Sequence, residues 1–176
     1  DVPLLDSPQQ MHGLLRHAVD HTPDASGTSA LGQCGLAWHE RIAAGDQDHY
    51  VVATLTRELT RSLLPLHPIA ALALPALCAK YAQHDRSLFS FLTSNEPNAF
   101  SRFLREHVVS GSDIPVLRLE ALYDYFIDVA GHGLTFRPQF QRWSEIHSVI
   151  SDARGLSREE VAALKTVGVL NLLATA

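Results

Sequence analysis

Along most of this chain apolar residues recur at spacings of three and four, the period of an amphipathic α-helix. Met11, Leu14, Leu15, Ala18 and Val19 make the first such face. Ser7-Pro8-Gln9-Gln10 opens it with a serine cap, a proline at the first helical position and a glutamine three residues after the cap. The face ends before Pro23, and residues 22–36, TPDASGTSALGQCGL, are small, polar and glycine-rich and read as a loop. Asp46 reads as the cap of a second long helix reaching about Leu64, with Val52, Leu55, Leu59 and Leu63 on one stripe. Thr56, Arg57, Glu58 and Arg61 lie mostly off that stripe and should face solvent. Pro68 starts the next helix, in which Ile69–Ala79 is apolar on every side and should be buried all round. Pro75 inside it has no N–H for the carbonyl of Ala71, which predicts a kink or a split.

The second half continues in the same period. A short helix is predicted from Asp85 to Leu92, carrying Leu88, Phe89, Phe91 and Leu92, and the next stripe is Phe100, Phe103, Leu104 and His107. Gly111 to Pro115 reads as a loop and Pro115-Val116-Leu117 as a brief extended piece. Leu119, Leu122, Tyr123, Phe126, Ile127 and Ala130 form the cleanest amphipathic helix, stopped by Gly131. A helix with Phe140, Trp143, His147 and Ile150 on one face runs to about Ala153, and Ser157-Arg158-Glu159-Glu160 is a capping box for a last one. From Val161 to Leu173 that last helix is apolar nearly all round and must pack against something. No stretch alternates with period two long enough to make a strand, and there is no internal repeat. The pattern predicts an all-α fold, a multi-helix orthogonal bundle of about seven helices with a Gly-rich loop near 22–36. It divides as an N-terminal helical segment and loop (1–64), a helical core (65–156) and the start of a further element (157–176).

Composition narrows the function classes. A formal net charge of −5, with Lys and Arg scattered singly, argues against direct nucleic-acid binding. At 46% hydrophobic residues the chain can bury a substantial core, yet no apolar run approaches a transmembrane length, so a membrane partner is not expected. Cys34 and Cys78 are the only cysteines and have no CxxC spacing, which fits two reduced thiols in a cytoplasmic protein, Cys78 buried in its helix. Asp1-Val2-Pro3 is not an initiator sequence and Leu170–Ala176 ends in mid-pattern, so the chain reads as a piece of a longer polypeptide. Gly27 to Cys34 has the glycine register of a phosphate loop, but Gln33 and Cys34 stand where the lysine and hydroxyl belong and no strand precedes it, so the motif is rejected.

Three stretches carry a resemblance. His67-Pro68-Ile69, then Ala82-Gln83, then Asp85-Arg86-Ser87-Leu88-Phe89 with Phe91-Leu92, resemble a signature in large bacterial P-loop ATPases of the AAA+/STAND kind, including the BREX-type phage-exclusion ATPases. Leu122-Tyr123-Asp124-Tyr125-Phe126 and the run Leu164–Leu173 are similar to pieces of the same family. The resemblance covers about Leu64 to Leu173. It implies a helical lid beyond the nucleotide-binding core, approaching a winged-helix-like part that would begin near 157. It further implies a non-catalytic region, ATP and magnesium bound elsewhere in the parent protein, contacts with the remainder of that ATPase or with partner subunits, and a role in bacterial defence.

Within that reading Arg86 is the nucleotide-sensing candidate. A guanidinium at the start of a helix is a permanently charged planar fork suited to a phosphate oxygen, and Asp85 beside it would hold it in position. The alternative is a surface pair of Arg86 with Asp85 or Glu96, worth little. His67 reads as a turn residue bonded to backbone, Tyr123, Tyr125 and Trp143 as core, and Lys165 as a side chain that snorkels out of an apolar helix. Two rivals remain. His84-Asp85 resembles the HD phosphohydrolases, with His49 or His67 and Asp128 as further metal ligands, and His17 and His21 share a helix face at a zinc-compatible spacing without an obvious third ligand. The other rival is a helical interaction module that needs neither nucleotide nor metal.

Overall fold

The computed structural model describes the backbone of residues 13–17, 19, 25–45, 55–81, 86–108, 114–130 and 141–174. These residues are helical apart from their connections: α1 (13–17), α2 (Ala25–Ala43), α3 (Arg57–Leu63), α4 (Pro68–Tyr81), α5 (Arg86–Thr93), α6 (Phe100–Glu106), α7 (Leu119–Ala130), α8 (Gln141–Asp152) and α9 (Arg158–Ala174). The fold is all-α, and among the described residues the only β-pairing is an isolated parallel bridge between Leu66 and Leu117. None of the described helices is long and apolar enough to cross a membrane. The chain forms two compact units, one of residues Asp1–Pro75 with Leu104–Leu117, the other of Ala76–Phe103 with Arg118–Ala176. The division falls inside α4 at Pro75, where the sequence predicts an interruption, and α4 is helical on both sides of it.

In the first unit the largest departure from the sequence reading is α2. Most of the expected 22–36 loop, from Ala25 on, is helix. Glycine costs a helix interior about 1 kcal/mol relative to alanine, so tertiary contact must offset that penalty. It does so by close approach: α2 packs on α3. A Cβ at Gly35 would stand 2.9 Å from Arg61 Cα, and one at Gly32 would stand 3.0 Å from Arg61 Nη2. Both glycines are buried, as side-chain-free contact points between two helices. The rejected phosphate-loop match therefore lies on helical backbone, which cannot form that loop.

α3 begins later than the expected long helix from Asp46. Thr56 is extended (φ −64°, ψ 157°) and its hydroxyl accepts the Leu59 N–H at 3.2 Å, so a local cap interrupts the run. Leu55 and Leu63 are fully buried as the stripe predicts, but Leu55 lies ahead of the helix; Asp46 and Val52 fall outside the described residues. Arg57, Glu58 and Arg61 face solvent. Leu117 is extended as predicted: its carbonyl accepts from His67 N at 2.8 Å and its N–H donates to Pro65 at 2.9 Å.

The second unit is built on Trp143, which is 1% exposed. Its ring meets Tyr81 of α4 edge-on at 5.5 Å and lies 5.6 Å from Tyr123 and 6.0 Å from Phe126, both on α7. α9 packs against α7 and α8. Gly168 makes the second of these approaches possible, since a Cβ there would stand 2.7 Å from Ile146 Cγ2. The last carbonyls of a helix lack partners within it; in α9 the Leu172 carbonyl accepts from Lys80 Nζ at 2.9 Å and Tyr81 Oη at 3.3 Å. The capping box forms as predicted, Ser157 Oγ accepting from Glu160 N at 3.2 Å and Glu160 Oε2 from Ser157 N at 2.8 Å.

Three burial expectations need correction. α4 is not buried all round, because Ala76, Ala79 and Lys80 are exposed on one side of its second half. The α6 stripe is broken: Phe100 is buried, but Leu104 is 47% exposed and His107 lies beyond the helix. α9 buries only Gly168, Val169 and Leu172 fully, leaving Val167 62% and Leu170 46% exposed.

Gly35→Ala lowers stability by about 1–3 kcal/mol despite the better helix former, because Arg61 backbone blocks the methyl. Gly13→Ala, with nothing within 4 Å of the new Cβ, raises stability by up to about 1 kcal/mol; thermal denaturation followed by circular dichroism reads both. At the capping box, backbone and side-chain bonds to Ser157 lower the Glu160 carboxyl pKa below its usual 4.5. Its contribution is full above that value and lost as pH falls below it, so Glu160→Gln should flatten the acid limb of a stability–pH curve.

Candidate functional site

Arg86 is the first residue of α5, and the sequence explains why a helix starts and holds there. Leu88, Phe91 and Leu92 fall on one face of RSLFSFLT and are buried, while Phe89 points outward at 55% exposure. Phe91, fully buried, stacks on Phe100 at 6.1 Å and meets Tyr125 edge-on at 5.0 Å. Thr93 closes the helix by donating its hydroxyl to the Phe89 carbonyl at 2.7 Å. The first turn is thus carried on a short rod fixed by aromatic packing. Of Arg86 only the backbone is described, and Asp85 and His84 lie outside the described residues.

The remaining candidates are dispersed. His17 is exposed on α1, and His21 and His49 lie outside the described residues. His67 sits where the sequence places it, its Nδ1 accepting from Ile69 N at 3.2 Å at the start of α4, with the Trp38 ring edge-on at 4.4 Å. Asp128 accepts from Asn98 Nδ2 at 2.8 Å. Among the described residues no three or more His, Cys, Asp or Glu side chains gather as metal ligands. Burial pushes the Cys78 thiol up to about 12, which leaves it un-ionised and unreactive in its helix.

Sequence reasoning missed a polar network on α7, α8 and α9. Lys165 does not snorkel to solvent: its Nζ pairs with Asp124 at 2.7 Å, with both side chains about a quarter to a third exposed (21% and 34%). It also lies 5.8 Å from the Tyr123 ring centroid. The Tyr123 hydroxyl bonds His147 Nδ1 at 2.9 Å, and burial, then the Asp124 charge, push that phenol up to about 12. A lysine in the middle of an apolar run, with an aspartate between two tyrosines elsewhere, was the available signal, but it does not specify the pairing. Tyr123, Tyr125 and Trp143 are core residues as predicted. Among the described residues the buried Trp143 Nε1 has no hydrogen-bond partner. Burial chiefly, with the Glu96 carboxylate and Cys78 adding, pushes the Tyr125 phenol far up.

No known protein family, curated protein or solved structure matches the chain.

Tyr123→Phe removes the bond to His147 and should cost about 1 kcal/mol. Urea titration of the variant beside the unsubstituted chain measures it.

Proposed function

We propose that this chain is the helical, lid-side part of a larger P-loop ATPase, and that Arg86 presents its guanidinium to bound nucleotide from the first turn of α5. The observation that carries this reading is the mount: α5 seals Leu88, Phe91 and Leu92 into aromatic packing and begins with the arginine. A charge that stabilises a transferring phosphoryl group must be held in place, and a packed helix does this better than a loop. The signature residues from His67 to Leu92 and the runs at 122–126 and 164–173 support the same assignment. The chain supplies no catalytic group in this proposal; ATP and magnesium belong to the parent protein, its cytoplasmic location follows from the same reading, and a role in bacterial defence rests on the resemblance alone.

A second reading, a helical interaction module, is favoured by the exposed Val167 and Leu170 on α9. It requires no nucleotide, so one measurement separates the two. In the full polypeptide that contains this chain, Arg86→Ala should cut ATP turnover about 10³-fold, the scale of an arginine finger, with helical content unchanged. Unchanged turnover and nucleotide affinity in that variant rule out the sensor role.

A further inference from the structure

An open cleft of about 570 Å³ in the first unit is lined by Leu31, Gly32 and Leu36 from α2 and by Arg57, Glu58 and Arg61 from α3. Arg57 and Arg61 are one helical turn apart, both exposed, and neither is paired with a carboxylate among the described residues. Glu58, the acidic residue in that lining, is held by Arg16 at 2.9 Å. Arg57 and Arg61 thus outnumber the one carboxylate in the lining, which is itself paired with Arg16. The nearby Ser62 hydroxyl is engaged by the Leu59 carbonyl at 2.9 Å.

The position of Arg61 is set by its neighbours. Gly32 has no side chain, and the Arg61 guanidinium lies against α2 there: a Cβ would stand 3.0 Å from its Nη2 and 3.3 Å from its Nε. Confining a long side chain this way lowers the entropy it loses on binding. Like charges at this spacing on a helix repel, and an anion bridging them removes that repulsion. Leu31 and Leu36, half-buried, supply an apolar wall beside the charged one. The volume lies within the range of small-molecule pockets.

We infer that this cleft binds a small phosphate monoester, its dianionic head across the Arg57 and Arg61 guanidiniums and its apolar body on Leu31 and Leu36. The planar forks suit phosphate oxygens bidentately, and two of them match a dianion. The inference uses none of the residues on which the ATPase reading rests and stands or falls separately from it.

The test is calorimetric titration of the chain with phenyl phosphate at low ionic strength, with inorganic phosphate as the comparison. Saturable binding is expected, tighter for phenyl phosphate because inorganic phosphate lacks a body for the leucine wall. Arg57→Ala and Arg61→Ala should each weaken it about ten-fold or more, the scale of a lost charge-assisted hydrogen bond. Absence of saturable binding, or wild-type affinity in either arginine variant, overturns the inference.

Discussion

The second unit depends on where the Trp143 indole is placed. Its ring is the shared contact of Tyr81, Tyr123 and Phe126, so one side chain on α8 sets the spacing to α4 and α7 together. Truncating such a ring costs about 3–5 kcal/mol, a large part of the 5–15 kcal/mol that holds a typical domain folded. Among the described residues its buried Nε1 has no hydrogen-bond partner. Size and shape decide this position, and the polar edge does not.

Two polar ties work around that aromatic centre. The Leu172 carbonyl, in the last turn of α9, is taken up by Lys80 and Tyr81, which couples a helix end to the middle of the unit. Lys165 and Asp124 join α9 to α7 where partial burial makes an ion pair more than a surface ornament. α5 is fastened to the same core through Phe91. The rigidity proposed to matter for Arg86 therefore comes from the packing of Phe91, Phe100 and Tyr125.

Residue pattern made much of this legible. The α7 helix, the helix starting at Pro68 and the Ser157 box rest on interactions between near neighbours, and each stands where the spacing puts it; Leu117 is extended where expected, but its partners Pro65, Leu66 and His67 lie far off in the chain. His67 was legible for the same reason, since its bond to Ile69 N is local. α2 was misread because its glycines were weighed as chain breakers. Leu31, Gly35, Trp38 and Ile42 do recur at helical spacing within it, but the reward for that helix lies on α3. Of the site, the place of Arg86 at a helix start could be read; the cleft could not, because Arg57 and Arg61 look like any solvated helix face until Gly32 is set opposite them.

By itself, then, the sequence determined the helical class, most helix starts and stops, and which aromatic residues go inside, because caps, prolines and apolar period act within a few residues. Tertiary structure alone decided that a glycine-rich stretch is a helix, that Lys165 meets Asp124, that α4 and α9 each leave one side in solvent, and that two arginines line a cleft. Each of those depends on the distance between groups far apart in the chain, which no local pattern encodes and only close packing of helices sets.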